Sequence, residues 1–410
     1  MNILFVHEID WQNKVVFDIH SFSELLASFG HNVFIIDFNG YQRGKLDNFA
    51  ATKNERLSLI GRSRQDISIT IIRPALIKAP FLDRASAFIT HFIAIENTIK
   101  ANKIDAIVLY SVPTNGYQVI KLAKKYRIPV VFRSIDVLYQ LVPTKILRAP
   151  TFSLETWVYK NSDKILTLSP KLSEYVIRMK AKPENVDLLF CGVDLTKFNP
   201  NVKSDQLRKV LGFSENEQVI LFMGTLYEFS GLDIYLRQFS KVLAKVPNAR
   251  LLIVGGGPQL NRLKKLAFDL ELSDKVTFTG FQPFTLMPQF ISLADVCLMP
   301  FIINAVTRDI IPLKTLQYLA CGKPVLSTPL PGMTVQIKSP QHGLIYASVD
   351  EFALKTILLL NDKDLAHSLG ESAYKYILDN HNEINLARKL ERILHSEIKE
   401  KGVCLNEKRI

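Results

Sequence analysis

The segment "TRDIIPLKTLQYLACGKPV", residues 307–325, has the sequence features of a loop, a helix and the start of a strand, one after the other. We predict a loop, then a helix over 312–322 with Pro312 in its first turn, and a strand that begins at Lys323. Polar and charged residues crowd the start of this helix, where free backbone N–H groups and the helix dipole favour an anion. The segment therefore predicts an α/β domain with a phosphate site at the helix N-terminus.

Short apolar runs alternate with helical-period segments along the whole chain. Continuous apolar runs are typical of strands that are buried on both faces of a parallel sheet. The pattern starts again near residue 205, so we predict an α/β protein with two doubly wound, Rossmann-like domains that face each other across a cleft. The clearest runs are "NILFV" (2–6), "HNVFIIDF" (31–38), "DAIVLY" (105–110), "IPVVFRS" (128–134), "QVILFMGTL" (218–226) and "ARLLIVGGGP" (249–258).

Domain boundaries follow from the same pattern. We assign residues 1–200 to an N-terminal Rossmann-like domain and residues 201–380 to a C-terminal one. Residues 381–410 are expected to form a helical tail that is able to cross back to the N-terminal domain. Residues 39–66 are polar and basic, so we interpret them as a loop and assign no structure to them.

The composition is that of an ordinary folded protein, with 48% hydrophobic and 22% charged residues in a chain of 410. The four cysteines and eight histidines show no spacing typical of metal ligands, so we expect no metal ion and no cofactor. The cysteines fit buried thiols in a reducing compartment. The first residues lack the features of a signal peptide, and no apolar stretch reaches the length of a membrane span. We therefore expect a cytoplasmic protein, or one bound peripherally at the cytoplasmic membrane face.

The net charge of +12 leans toward the N-terminal half, where 26 basic and 18 acidic residues occupy positions 1–200. Such an excess attracts anionic lipid or phosphorylated substrates. No RNP motif, zinc finger or dense basic run is present, so we expect no nucleic-acid partner. The segment "APFLDRASAFITHFIAIENTIK" (79–100) is rich in aromatic and aliphatic residues. It suits either docking onto an anionic membrane or packing in the domain core, and the sequence leaves both open.

Two glycine-containing turns follow apolar runs in the C-terminal half. Gly224 and Gly231 bracket "TLYEFS", whose Thr225 and Ser230 offer hydroxyl groups either to a ligand or to an ordinary turn. A second turn, at 255–257, lacks the third glycine of the dinucleotide fingerprint. No such fingerprint follows the first strand either, which argues against an NAD-dependent oxidoreductase. We expect the second turn to lie near a nucleotide base.

Five segments together resemble the retaining GT-B glycosyltransferases of family 4, also called group 1. The resemblance extends over about residues 105–345. It implies that the C-terminal domain holds a nucleotide-diphosphate sugar, that the N-terminal domain binds a glycan or lipid-linked acceptor, and that the sugar keeps its anomeric configuration. The segments are "LTLSPKLSEYVIRMKAKPENVDLLFCGVDLTKFNP" (166–200), "ILFMGTLYEFSGLDIYL" (220–236), "LLIVGGGPQLNRLKKLA" (251–267), "VTFTGFQPFTLMPQFISLADVCLMP" (276–300) and "PLKTLQYLACGKPVLSTPLPG" (312–332).

The resemblance also implies site residues. Two family glutamates, one for the donor sugar and one for the ribose, correspond here to Asp309 and Gln317. The family's diphosphate-binding arginine and lysine correspond to Thr225 and Ser230, which carry no charge. We expect Arg308 and Lys314, at the entrance of the 312–322 helix, to replace them and to act with Asp309 in catalysis. The expected donor-binding set is Gly224, Thr225, Ser230, Gly231, Gly255, Gly256, Pro312, Leu313 and Gln317.

Three residues are expected on the acceptor side. Arg133 and Asp136 lie at the end of the run "IPVVFRS", and His7 ends the first strand. A single histidine in such a position is more often structural than catalytic. Because the family's charged positions are replaced, the alternative function is a non-catalytic protein that binds a nucleotide sugar or a glycan.

Overall fold

The computed structural model describes residues 1–13, 16–40, 50–62, 64, 66–142 and 144–402. The chain divides into two compact units. The first unit comprises Met1–Gly192 together with Glu383–Ile410, and the second comprises Val193–Asn382. The C-terminal helical segment thus belongs to the first unit. The sequence interpretation had set its boundaries at 200 and 380.

The first unit contains a mostly parallel sheet. In the described part of the chain this sheet has eight strands: β1 (Asn2–Val6), β2 (Asn32–Ile36), β3 (Glu55–Ile60), β4 (Ser68–Arg73), β5 (Ala106–Leu109), β6 (Val130–Ser134), β7 (Lys164–Thr167) and β8 (Val186–Leu188). Their order is β3-β4-β2-β1-β5-β6-β7-β8, and only the β3–β4 pair is antiparallel. The helices between them are α1 (Asp18–Ser28), α2 (Leu82–Asn102), α3 (Gly116–Tyr126), α4 (Arg148–Asn161) and α5 (Pro170–Arg178).

The residues of β1 alternate between two apolar clusters in the first unit. Ile3 and Phe5 belong to one cluster, and Leu4 and Val6 belong to the other. Successive side chains of a strand point to opposite faces, so a strand that is covered on both faces must be apolar at consecutive positions. This is why "NILFV" is a continuous apolar run, and the predicted α/β class is confirmed.

The interpretation of residues 39–66 as a loop without structure is wrong for its later part, where β3 forms an edge strand. β3 pairs antiparallel with β4 from Glu55 opposite Arg73 to Ile60 opposite Ser68. Leu57 and Leu59 are half-buried and the residues on either side of each are exposed, as expected for a strand that is covered on one face only. Strands were predicted from continuous apolar runs, and a short segment with alternating burial does not form such a run. Residues 41–49, 63 and 65 of the segment lie outside the described residues.

The second unit contains an all-parallel sheet. In the described residues its six strands are β9 (Gln218–Met223), β10 (Ala249–Val254), β11 (Val276–Gly280), β12 (Val296–Met299), β13 (Val325–Ser327) and β14 (Leu344–Tyr346), in the order β11-β10-β9-β12-β13-β14. Its helices are α6 (Asp205–Val210), α7 (Leu232–Leu243), α8 (Leu260–Asp269), α9 (Met287–Leu293), α10 (Leu313–Ala320), α11 (Pro331–Thr334), α12 (Phe352–Asn361) and α13 (Lys363–Asn380).

The helix predicted over 312–322 is shorter than expected. α10 begins at Leu313, and Pro312 is its N-cap residue with extended backbone angles rather than a member of the first turn. At its other end the helix stops at Ala320, and Gly322 adopts a positive φ of 65°. The N–H of Thr315 donates to the carbonyl oxygen of Pro312 at 2.9 Å, whereas the N–H groups of Leu313 and Lys314 have no acceptor within the helix and can face a ligand.

A final helix, α14 (Glu383–Glu400), completes the first unit. It packs against α1 and adds Leu386, Leu390 and Leu394 to one of the two apolar clusters of that unit. The spacing of four residues puts these leucines on one face of the helix. Among the described residues, no helix has both the length and the apolar character that crossing a bilayer requires.

Three of the four cysteines lie in the described part of the chain, and none of these three forms a disulfide. Cys297 and Cys321 are buried, and burial raises the pKa of the Cys321 thiol to about 12. Cys191 is only partly buried. Cys404, which the sequence grouped with the others, lies outside the described residues.

Candidate functional site

The sheet of the second unit has a topological switch point beside its first strand. β9 lies between β10 and β12, so the connections after β9 and β12 leave in opposite directions. Open α/β sheets bind ligands at the carboxyl ends of their strands at such a point. The turn at Gly224 follows β9, the turn at Gly255 follows β10, and the connection to α10 follows β12.

The two glycine turns lie against each other. Gly224 and Gly255 both have positive φ, and a Cβ atom at Gly255 would collide with the carbonyl oxygen of Gly224. Leu226 donates its backbone N–H to the carbonyl oxygen of Gly256 over 2.9 Å. A side chain at Gly256 would also meet the ring of Phe281. Glycine is therefore needed at these positions for loop packing, whatever the loops bind.

Lys314 brings an ammonium group to this glycine loop. Its Nζ atom contacts Gly224 so closely that a Cβ atom there would collide with it. The same nitrogen lies 4.8 Å from the ring centre of Phe222 and 5.0 Å from that of Phe301. Burial lowers the pKa of Lys314 to about 8, and no carboxylate of the described residues is within ion-pair distance of it. A desolvated cation without a counterion is suited to bind an anion.

One polar side chain on α10 is buried without a hydrogen bond to any described residue. Its unpaired atom is Oγ1 of Thr315. Gln317, two residues further along the helix, is also a buried residue. Buried polar groups are normally hydrogen-bonded, so unpaired ones indicate a missing partner such as a ligand or water. Gln317 therefore does not lie on the solvent-exposed face of α10.

The other predicted catalytic residues lie at the protein surface. Arg308 and Asp309 are both exposed, and Nε of Arg308 is 3.8 Å from Oδ1 of Asp309. Their loop is held by its backbone, because Gly332 donates its N–H to the carbonyl oxygen of Arg308 over 2.7 Å. Leu313 is exposed as well. Arg308 and Lys314 were expected to replace the family's diphosphate-binding arginine and lysine. Lys314 contacts the glycine loop, whereas Arg308 is exposed.

Ser230 and Gly231 have structural roles inside the first glycine loop. The Ser230 hydroxyl accepts the N–H of Tyr227 at 3.0 Å and donates to the carbonyl oxygen of Thr225 at 3.4 Å. Gly231 has a φ of 67°, and a Cβ atom there would collide with the carbonyl oxygen of Pro300. Thr225 is half-buried, and its hydroxyl has no partner among the described residues. These contacts fix the shape of the loop that holds Gly224.

The sheet of the first unit has its own switch point, between β1 and β5. His7 directly follows β1 and is buried. Its Nδ1 atom accepts the N–H of Ile9 at 3.1 Å, which places its proton on Nε2. That Nε2 atom is buried without a partner among the described residues. Burial, followed by the nearby His20 and His91, lowers the pKa of His7 to about 3, so the ring is neutral.

His91 on α2 complements His7. Asn115 donates from Nδ2 to the carbonyl oxygen of His7 at 3.2 Å, so its Oδ1 atom faces Nδ1 of His91 at 3.0 Å and accepts a hydrogen bond from the Nδ1–H group. The Nε2 atom of His91 is then an acceptor, and like Oγ of Ser111 it is buried without a described partner. A buried donor, an acceptor and a hydroxyl remain available. Sequence reasoning missed His91 and Asn115, because nothing in their spacing relates them to His7.

The two other predicted acceptor residues differ in their surroundings. Arg133 is buried, donates from Nη2 to Oδ2 of Asp18 at 2.6 Å, and donates from Nη1 to the carbonyl oxygen of Leu189 at 2.5 Å. Its guanidinium therefore joins β6 to the start of α1 and to the end of β8. Asp136 is exposed, although desolvation by the surrounding protein raises the pKa of its carboxyl.

Two Rossmann-like units, each with polar groups at the switch point of its sheet, define an α/β protein of the GT-B type. Residues 203–376 match the family described as Glycosyl transferases group 1, and residues 18–197 match the one described as Glycosyltransferase Family 4. The two matches together span most of the chain. The chain belongs to this family of glycosyltransferases.

Curated relatives match about half of the chain. A GDP-mannose-dependent alpha-(1-6)-phosphatidylinositol monomannoside mannosyltransferase from Mycobacterium tuberculosis is 31% identical over 50% of this chain and 54% of its own length. An alpha-monoglucosyldiacylglycerol synthase from Streptococcus pneumoniae is 28% identical over 51% of this chain and 46% of its own. The chain spans about half the length of these relatives.

Solved structures match nearly the whole chain at low identity. The sucrose-phosphate synthase of Thermosynechococcus elongatus aligns with a TM-score of 0.71 at 18% identity, covering 97% of this chain and 99% of the other. A similarity at this level of identity concerns the fold. It confirms the predicted GT-B fold class.

The affinity for a nucleoside diphosphate should fall as the pH rises through about 8, because Lys314 then loses the charge that faces the anion. We expect up to about tenfold weaker UDP or GDP binding per pH unit above that pKa, measured by isothermal titration at about pH 7, 8 and 9. Lys314→Arg keeps its charge and should remove this dependence. A wild-type affinity that is constant over this range, or a parallel decline in Lys314→Arg, would contradict the prediction.

Proposed function

We propose that this chain is a retaining glycosyltransferase that moves a sugar from a nucleotide-diphosphate sugar to a glycan or lipid-linked acceptor. The proposal rests on one observation. Lys314, at the start of α10, holds its unpaired ammonium against Gly224. A leaving diphosphate needs its charge compensated, and a fixed cation beside a helix N-terminus supplies that compensation. The family membership agrees with this chemistry.

On the donor side, Lys314 and the first N–H groups of α10 would hold the diphosphate. The buried amide of Gln317 would accept or donate a hydrogen bond to a ribose hydroxyl, and the carboxylate of Asp309 would accept hydrogen bonds from the donor sugar. In this proposal protein groups alone neutralise the leaving group, and no cofactor is invoked. Turnover that persists in the presence of a chelator would support this part of the proposal.

On the acceptor side, the group formed by His7 and His91 would hold a hydroxyl, and the two rings are close enough for His91 to affect the pKa of His7. A sugar or lipid hydroxyl is both a donor and an acceptor, and the unpaired Nε2 atoms of the two rings offer one of each. Burial lowers the pKa of His91 to about 4 as well, so both rings are neutral at physiological pH. Neutral imidazoles can orient a hydroxyl without adding positive charge.

The retention of anomeric configuration is proposed from the family resemblance alone. No side chain is assigned here as a nucleophile. The anomeric configuration of the product, measured by NMR early in the reaction, distinguishes retention from inversion.

A panel of UDP-, GDP- and ADP-sugars should include one donor that stabilises the protein against heat and slowly releases its diphosphate. Lys314→Met removes the cation, so we expect about 10- to 100-fold weaker donor binding, the equivalent of a charged hydrogen bond. The matched control is Lys264→Met, which changes an exposed lysine of α8 and should behave like the wild type. Thermal shift and diphosphate release are measured in parallel.

The outcomes of this panel separate the two functions. Stabilisation without any release, even with lipid acceptors added, would favour the non-catalytic binding protein. Equal binding in Lys314→Met and Lys264→Met would contradict the proposed donor site. A lack of both binding and turnover across the panel would contradict the glycosyltransferase activity itself.

His91→Leu should impair transfer while leaving donor binding by the second unit intact. The loss of a hydrogen bond to the acceptor costs about 1–3 kcal/mol, which corresponds to a KM for the acceptor that is roughly 5- to 150-fold higher. His91→Gln can keep an acceptor atom in that region and should recover part of the loss. Vesicles that contain phosphatidylinositol or diacylglycerol serve as acceptors. Unchanged transfer by His91→Leu would show that this group does not contact the acceptor.

A lipid-linked acceptor is supported by the surface of α2. Phe88 is 49% exposed, Ile89 is 63% exposed and Ile93 is 52% exposed, so the outer face of this helix is apolar. The opposite face, with Ala87, Ile95 and Ile99, packs inside the first unit. Core packing, which the sequence also allowed, therefore accounts for only one side of the helix. The names of both curated relatives refer to lipids with sugar head groups.

Aromatic and basic residues continue this apolar face onto α3 and α4. The ring of Phe88 stacks on Tyr117 with centres 6.3 Å apart, and Tyr117 lies 5.4 Å from Trp157. Lys121 and Lys124 lie over the rings of Tyr117 and Trp157. Apolar, aromatic and lysine side chains together suit the interface of an anionic membrane. We propose that the first unit docks there, at the cytoplasmic face.

The double variant Phe88→Ser/Ile89→Ser should bind anionic vesicles at least about tenfold more weakly than the wild type, because two exposed apolar side chains no longer enter the membrane. Cosedimentation with phosphatidylglycerol-containing and pure phosphatidylcholine vesicles measures the effect. Leu354→Ser is the control, since Leu354 is 66% exposed on the second unit. If the double variant and the control lose the same amount of binding, α2 is not the docking surface.

A further inference from the structure

Two histidines and a glutamate meet at the surface of the first unit, where α14 passes the residue before β2. One ligand atom from each of His31, Glu391 and His395 lies within 4.8 Å of the other two. Nε2 of His31 is 2.7 Å from Oε1 of Glu391, and the rings of His31 and His395 have centres 6.2 Å apart. We propose that these residues, the His31 cluster, bind a zinc ion.

The ligand types of the His31 cluster match zinc. Zinc is bound by imidazole nitrogens at about 2.0–2.1 Å and by carboxylate oxygens at similar distances, which puts neighbouring ligand atoms about 3.3 Å apart in a tetrahedral site. The ligand atoms of the cluster lie within 4.8 Å of one another, which exceeds this spacing by about 1.5 Å at most. His395 is exposed, so its side chain can rotate inward. Magnesium and calcium prefer sites made of oxygen atoms alone.

The backbone and neighbouring side chains already orient two of the three ligands. Glu391 and His395 are four residues apart on α14, which places them on one face of the helix. Arg388 donates from Nη1 to Oε2 of Glu391 at 2.9 Å, which leaves Oε1 directed at His31. The hydrogen bond from Arg388 holds the carboxylate in place, as contacts to metal ligands from neighbouring residues usually do.

The position of the cluster indicates a structural ion rather than a catalytic one. His31 precedes β2 at the amino end of the parallel strands, whereas His7 follows β1 at the carboxyl end. Glu391 follows Leu390, whose side chain is part of the apolar cluster between α14 and the sheet. An ion bound here would connect α14 to the start of β2. It would therefore stabilise the docked form of the C-terminal helix.

The test uses the full-length protein after removal of metal with a chelator. Titration calorimetry with Zn²⁺ should show one ion bound per chain, and Co²⁺ should give d–d absorption bands from nitrogen and oxygen ligands. Zn²⁺ should also raise the thermal unfolding temperature. His395→Ala, a substitution of an exposed residue, should weaken zinc binding at least about tenfold and abolish the cobalt bands. Mg²⁺ at the same concentration should not compete.

α13 provides a matched control. His367 and Glu371 are also four residues apart, exposed and close, with Nε2 of His367 3.4 Å from Oε1 of Glu371, but they belong to no group of three ligands among the described residues. His367→Ala should leave zinc affinity and the cobalt bands unchanged. Equal zinc affinity in the wild type and His395→Ala would overturn the proposal, as would an equal loss in His367→Ala and His395→Ala.

Discussion

The switch point of the second unit depends on one constraint. The ammonium group of Lys314 is held against a glycine loop and has no carboxylate partner among the described residues. Desolvation of Lys314 is costly, and its contacts with the rings of Phe222 and Phe301 return only about 0.5–2 kcal/mol each. Gly224 must lack a side chain to admit the ammonium, and Gly255 must lack one to lie against Gly224. The loops are thus shaped around a charge that the described residues do not neutralise. An anionic ligand is what would complete this arrangement.

The first unit has a switch point of the same kind, and the groups there would suit a different kind of ligand. At its switch point the unpaired atoms belong to neutral groups, because burial depresses the pKa values of His7 and His91 far below physiological pH. Neutral donors and acceptors suit a hydroxyl, whereas a single ammonium suits a phosphate. A diphosphate leaving group and an attacking hydroxyl are the two chemical partners in glycosyl transfer. Each unit, considered alone, is matched to one of them.

The fold could be predicted well from the sequence because parallel strands that are buried on both faces are apolar at consecutive positions, as β1 is from Ile3 to Val6. It failed where burial is one-sided, at β3, and where contacts are made between distant residues. Hydrogen bonds through Asn115 join His91 to His7, yet α2 and β1 are far apart in the chain. The burial of Gln317 likewise depends on the packing of α10, which no local pattern reveals.

The position of the cation differs from the family pattern, and its identity as a lysine has a physical reason. The resemblance places the family's cations at Thr225 and Ser230, on the first loop itself, whereas here one reaches that loop from α10. An ammonium with a pKa near 8 stays mostly charged near pH 7, and desolvation brings it closer to losing its proton than an exposed lysine. An arginine in the same place would stay charged at any pH and would bear the full cost of remaining unpaired. When a diphosphate binds, its negative charge raises the lysine pKa again, so the ammonium keeps its charge to higher pH in the complex than in the free protein.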